Sequence, residues 1–174
     1  MSKELNMLRP FFGDPLREFN VREVARLLKI NPTTASNKLK GLKEKGLLKH
    51  RKERNLDLYR ADMESSAYKD LKIYYTIRKM RESGLIDALN EFYVKPTIII
   101  FGSASKGLDT ATSDIDVVIV SEKRSEFPSE KEFSRKVGRQ LQFFTVRHLR
   151  ELKNGHLINS VLNGIVVEGE LEWT

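Results

Sequence analysis

Residues 97–120 read TIIIFGSASKGLDTATSDIDVVIV, and this stretch decides the fold of the C-terminal half. Ile98, Ile99, Ile100 and Phe101 form an apolar, mostly β-branched run between Pro96 and Gly102, the pattern of a buried strand. Gly102-Ser103 stands where that strand ends and a short helical turn begins. After a polar loop, Asp114-Ile115-Asp116 leads into Val117 to Val120, a second apolar strand. Side chains alternate along a strand, so Asp114 and Asp116 share one side while Ile115 enters the core. Two carboxylates at the mouth of a strand, beside a Gly-Ser turn, predict a divalent-cation and phosphate site. Mg²⁺ (or Mn²⁺) suits such hard oxygen ligands, with substrate phosphates completing its shell. Backbone N–H groups after Gly102 and the Ser103 hydroxyl are the expected phosphate donors. The plain alternative makes Gly102 a turn residue, Ser103 a helix cap and both aspartates loop-end caps.

Gly102-Ser103, then Gly107, then Ser113-Asp114-Ile115-Asp116 with Val117-Val118 resembles the signature of the DNA polymerase β-like nucleotidyltransferase superfamily. Its small "minimal nucleotidyltransferase" domains are the nearest likeness. The resemblance spans roughly residues 97–171, under half of the 174-residue chain. It implies an α/β (α+β) domain with a mixed sheet over residues 96–174. It also implies Asp114 and Asp116 as catalytic metal ligands, Gly102 and Ser103 as nucleotide-binding residues, and an NTP as substrate or ligand. In that superfamily a third carboxylate follows a Gly-Arg-x-x motif on a later strand. Here Gly138-Arg139-Gln140-Leu141 is followed by Gln142. A glutamine offers a neutral carbonyl oxygen but no general base. General-base help is worth about 10²–10⁴ in rate, so its loss slows transfer without disturbing the fold. Glu168 or Glu170, from a last strand, is the alternative source of a third acid.

The N-terminal half carries a different signal. Residues 1–95 hold 21 Lys+Arg against 13 Asp+Glu, whereas residues 96–174 hold 10 against 11. A basic half joined to a neutral one suits a nucleic-acid-binding module, although a solvated lysine-rich surface has the same charge. Placement separates the two. Leu5, Leu8 and Phe12 mark a first helix, broken at Gly13-Asp14-Pro15. Asn20 is placed to cap a second helix carrying Val21, Val24, Ala25, Leu27 and Leu28. Asn31-Pro32 starts a third helix that buries Ala35, Leu39 and Leu42. Thr33, Thr34, Asn37, Lys38 and Lys40 are left on its outer surface. Leu47 to His50 reads as a strand, residues 51–55 as a basic turn, and Leu56 to Arg60 as a return strand.

This layout over residues 1–62 resembles a winged helix-turn-helix DNA-binding domain. The resemblance implies that Thr33, Thr34 and Asn37 face bases in the major groove. Lys38, Lys40, Arg51, Lys52 and Arg54 would then contact phosphates of double-stranded DNA. Residues 63–95 read as a helical linker. Its aromatics (Tyr68, Tyr74, Tyr75) and Phe92 are assigned to packing, between domains or across a homodimer, rather than to base stacking.

Further along, residues 121–129 form a loop, 130–139 a helix, 141–146 a strand, 147–153 and 156–163 two helices, and 165–168 a last strand. The three histidines share no metal-ligand spacing. With no cysteine there are no disulfides or thiolate sites, which fits a reducing cytoplasm. No apolar run approaches the ~18 residues of a membrane helix, so no membrane association is expected. The whole predicts a cytoplasmic, DNA-binding transcriptional regulator with a nucleotidyltransferase-fold domain that binds NTP and Mg²⁺ with weak or no catalysis. The alternative is an active Mg²⁺-dependent enzyme moving NMP from NTP to a protein, RNA or small-molecule hydroxyl.

Overall fold

Asn20 shows how locally the first unit is specified. Its side chain accepts from the Glu23 N–H (2.9 Å), while the Glu23 carboxylate accepts from the Asn20 N–H (2.9 Å). This reciprocal cap fixes the start of a helix. A computed structural model describes residues 3–171 of the chain, which divides into two compact units, 1–75 and 76–174. The first contains α1 (Lys3–Gly13), β1 (Phe19–Asn20), α2 (Val21–Leu28), α3 (Pro32–Glu44), β2 (Leu48–Glu53) and β3 (Leu56–Ala61). It ends within α4 (Ser66–Glu82).

Asn31 caps α3 through the Thr33 N–H (2.8 Å), with Pro32 in the first helical position. Ala35, Leu39 and Leu42 are buried as their spacing predicts. The strands form an antiparallel sheet in the order β1-β3-β2. Two features differ from the sequence expectation. β1 is only two residues long, pairing Phe19 with Tyr59, and is too short to leave a period. The basic segment 51–55 is mostly strand: β2 continues to Glu53, which pairs with Leu56, so the turn is Arg54-Asn55 alone. Arg54 takes a left-handed φ of 54° to close it. The core joins Leu8, Phe11 and Phe12 of α1 to Leu39, Leu42, Leu47 and Tyr68. The Tyr68 hydroxyl donates to the Phe11 carbonyl (2.8 Å), and Tyr75 stacks on Phe12 at 4.8 Å. These tyrosines pack.

The second unit adds α5 (Leu85–Tyr93), β4 (Thr97–Phe101), β5 (Ile115–Val120), α6 (Glu130–Val137), β6 (Leu141–Val146), α7 (Gly155–Leu162) and β7 (Ile165–Glu168). Its mixed sheet runs β6-β5-β4-β7, with β5 and β6 parallel and the other pairs antiparallel. Ile98, Ile100, Ile115, Val117 and Ile119 share a core with Leu85 and Leu89 of α5 and Phe133 and Val137 of α6. Ile99, Phe101, Val118 and Val146 share another with Val161 of α7. Burial on both faces is why β4 and β5 read as continuous apolar runs rather than alternating ones. Segment 63–95, read as a linker, is instead divided: Tyr68 enters the first core, and Leu85, Ile86, Leu89 and Tyr93 enter the second. The helix expected over 147–153 is a single 3₁₀ turn, Leu149–Glu151. Among the described residues no helix is long and apolar enough to cross a membrane.

Candidate functional site

The two signature strands meet as neighbours. Phe101, the last residue of β4, pairs with Asp116, and Asp116 pairs across the parallel ladder with Gln142. Phe101, Asp116 and Gln142 therefore form one row at one end of three adjacent strands. Asp116 is half-buried and Asp114, just before β5, is exposed. Burial, and secondarily the Asp114 charge, push the Asp116 carboxyl above its ordinary pKa. Gly102 follows β4 with φ +72°, and a Cβ there would stand 2.5 Å from Asp116 Oδ2. No side chain fits between this backbone and the carboxylate, so glycine is needed for the contact as well as for the φ.

Ser103 is half-buried, and its hydroxyl does not cap the 3₁₀ turn Ala104–Lys106 that follows. The plain reading of Ser103 as a cap thus fails. The turn is held otherwise: Ser105 Oγ donates to the Gly102 carbonyl (2.9 Å) and the Leu108 N–H to the Ser103 carbonyl (3.0 Å).

The loop that delivers Asp114 is clamped from below. Arg139, following the left-handed Gly138 that ends α6, pairs with Asp109 at 2.8 Å and donates through Nε to the Ser113 carbonyl (2.9 Å). Asp109 is 1% exposed and Arg139 13%. The Ser113 hydroxyl also accepts from the Thr110 N–H (2.9 Å). The Gly-Arg motif was visible in the sequence, but Asp109 was not: it lies 30 residues upstream in an aperiodic loop.

The residues present fit a hard divalent cation in part. Asp114 and Asp116 supply two oxygen ligands beside a backbone opening that only glycine leaves, and such a pair leaves coordination places for phosphate and water. Among the described residues no group of three acidic, histidine or cysteine side chains is arranged to hold a metal. Gln142 occupies the sheet position level with Asp116. Glu168 is no substitute: it lies on the edge strand β7 opposite Ile98, at the other end of β4, and pairs with Arg81 (3.3 Å). Three residues of strand separate Ile98 from Phe101, about 10 Å. Glu170 lies beyond it, its carbonyl accepting from Thr97 Oγ1 (2.6 Å).

In the first unit, Thr33, Thr34, Asn37, Lys38 and Lys40 are all exposed on α3. Lys52 and Arg54 are exposed too, and among the described residues neither forms an ion pair. Arg51 differs. It is exposed as well but bound by Glu18 (2.7 Å) and Glu53 (2.6 Å), which raise its pKa further, so its charge is already paired with carboxylates.

Against known families, residues 82–163 match the model of the nucleotidyltransferase domain. The match runs from the last residue of α4 to just past α7 and contains Gly102 and the Phe101–Asp116–Gln142 row. The chain carries a nucleotidyltransferase domain in its second unit. No curated protein matches the chain.

Proposed function

We propose that the protein is a DNA-binding transcriptional regulator whose nucleotidyltransferase domain binds NTP with Mg²⁺ (or Mn²⁺) and transfers nucleotide weakly or not at all. The carrying observation is the register of β5 and β6, which sets Gln142 beside Asp116 where the superfamily has its third acid. In this reading Asp114 and Asp116 hold the cation, and Gly102 and Ser103 face the phosphates. A bound cation supplies charge neutralisation and Lewis acidity at the phosphates. Gln142 donates or accepts hydrogen bonds but takes no proton from an acceptor hydroxyl.

The DNA-binding part of the proposal rests on the first unit, read as a winged helix-turn-helix with α3 as recognition helix and β2–β3 as wing. Its support is the exposure of Thr33, Thr34, Asn37, Lys38, Lys40, Lys52 and Arg54 on those elements. Arg51 would reach phosphate only by exchanging its carboxylate partners, which weak, solvent-screened surface pairs allow.

A second reading keeps the domain active, moving NMP to a protein, RNA or small-molecule hydroxyl. The tight Gly102–Asp116 approach favours it, because it holds a carboxylate directly against the Gly-Ser turn, where cation and phosphate would meet. Incubation of the protein with labelled NTPs, Mg²⁺ and cell extract separates the two. The regulator reading expects little transferred label from wild type and more from Gln142→Asp. Brisk wild-type transfer that Gln142→Asp leaves unchanged makes the enzyme reading correct.

A further inference from the structure

The strands that carry Asp116 at one end carry a second, basic pocket at the other. Thr97, Val120 and Val146 form the row that closes the sheet opposite the Phe101–Asp116–Gln142 row. Val120 lies four residues beyond Asp116 on β5, about 13 Å along the strand. At this end lies a cavity of about 330 Å³ lined by Lys95, Thr97, Arg147, His148, Arg150 and Gly169 among others. Among the described residues, Glu170 is the only acidic one in its wall. Arg147 has a distant carboxylate partner in Glu122 (3.5 Å). Among the described residues Lys95 and Arg150 have no ion-pair partner.

Two backbone features built into this pocket point to a purpose. Gly169 forms part of its wall with φ +75°, and a Cβ there would meet the Pro96 carbonyl at 2.8 Å and Thr97 Oγ1 at 2.9 Å. Just before that Pro96-Thr97 contact, α5 is followed by two successive non-glycine residues in the left-handed region, Val94 (φ 58°) and Lys95 (φ 57°), of which Lys95 lines the pocket. Helices commonly end in this conformation, but with glycine. A β-branched residue there is an outlier, and a residue before proline, as Lys95 is before Pro96, is normally pushed to extended conformations. Backbone strain of this kind persists where the surroundings impose it, and it concentrates at ligand sites. Glycine would satisfy the same backbone, and at position 95 it would remove the cation that lines the pocket. Val94 gains nothing from packing, being 78% exposed.

We infer that this pocket is an anion site for a small phosphate-bearing ligand, separate from the Asp114–Asp116 site and independent of whether that site binds NTP. Three permanent cations and His148 around 330 Å³ suit one or two phosphoryl groups. A base or sugar attached to them would protrude to solvent.

The test uses the full-length, ¹⁵N-labelled protein in EDTA, titrated with sodium pyrophosphate at constant ionic strength, and in a second arm with metal-free nucleoside triphosphate. The expected result is saturable shifts at the Gly169, His148 and Leu149 amides, without comparable shifts at Ile115 and Asp116. Arg150→Ala should weaken pyrophosphate roughly ten- to hundredfold, the loss of one charge-assisted bond. Lys95→Gly should raise Tm by relieving strain while abolishing saturation. Val94→Gly should raise Tm and leave binding unchanged, which separates the strain from the charge. Saturation by pyrophosphate but not nucleotide identifies a free-anion site; saturation by both identifies a nucleotide's phosphates as a source. Shifts that never saturate, or that are equal in wild type and Arg150→Ala, overturn the inference.

Discussion

Gly102 and Asp116 set the finest scale of the account. Because a methyl at position 102 would collide with Asp116 Oδ2 and sit at a left-handed φ, Gly102→Ala should cost about 1–3 kcal/mol in chemical denaturation. It should also displace the carboxylate. A cost below experimental error would mean the two groups are not in contact. Asp116 itself makes a pH prediction. Its folded pKa is raised by burial first and Asp114 second. The fold therefore prefers the neutral acid, a preference fully present below the ordinary pKa of 3.8 and lost as pH rises through the raised value. In EDTA, Asp116→Asn should be the more stable protein at neutral pH, with the advantage fading as pH falls toward 3.8. Added Mg²⁺ should reverse the order, since a cation offsets the repulsion between the carboxylates. Thermal melts across pH, with and without Mg²⁺, check both signs.

At the scale of elements, the clamp beneath the 109–113 loop is the part that holds Asp114 in place. Arg139 connects the end of α6 to both Asp109 and the Ser113 carbonyl. Removing one partner of a buried pair costs about 3–5 kcal/mol. Arg139→Ala should therefore lose that much in urea unfolding, and pairing it with Asp109→Asn should recover part of it. A loss under about 1 kcal/mol would show that the loop is held by other contacts. The clamp was only half legible in the sequence. Arg139 lies in a motif, whereas Asp109 is marked neither by period nor by neighbours and only the folded chain brings it near. β4 and β5 were legible because burial on both faces writes a continuous apolar run. β1 was not, being two residues whose strand character comes wholly from pairing with Tyr59 and Leu58. The turn between β2 and β3 was misplaced for a related reason: charged residues mark exposure, and an exposed hairpin strand is as charged as a turn. Residues 147–153 have helical composition but no buried stripe beyond Leu152 to hold a full helix.

For the whole molecule, the claim is that one unit reads DNA and the other binds nucleotide. The first claim predicts duplex binding that falls steeply with salt. Lys52→Glu with Arg54→Glu should weaken binding to every sequence, and each lost phosphate contact should lower the log–log salt slope by about 0.9. Thr34→Ala or Asn37→Ala should instead change the preference among sequences. Fluorescence anisotropy at several salt concentrations reads both effects. An unchanged slope in the double reversal would remove β2–β3 from the DNA interface.

The second claim is the central one, and titration calorimetry tests it most directly. Each of the four NTPs is titrated into wild type and Asp116→Asn, with Mg²⁺ and with EDTA. For at least one NTP, Mg²⁺ should add to wild type a binding event that Asp116→Asn lacks, over and above any Mg²⁺-independent binding that the two proteins share at the Lys95–Arg150 pocket. Identical isotherms for wild type and Asp116→Asn in Mg²⁺, or no added binding in wild type when Mg²⁺ replaces EDTA, would contradict the site built from Gly102, Asp114 and Asp116.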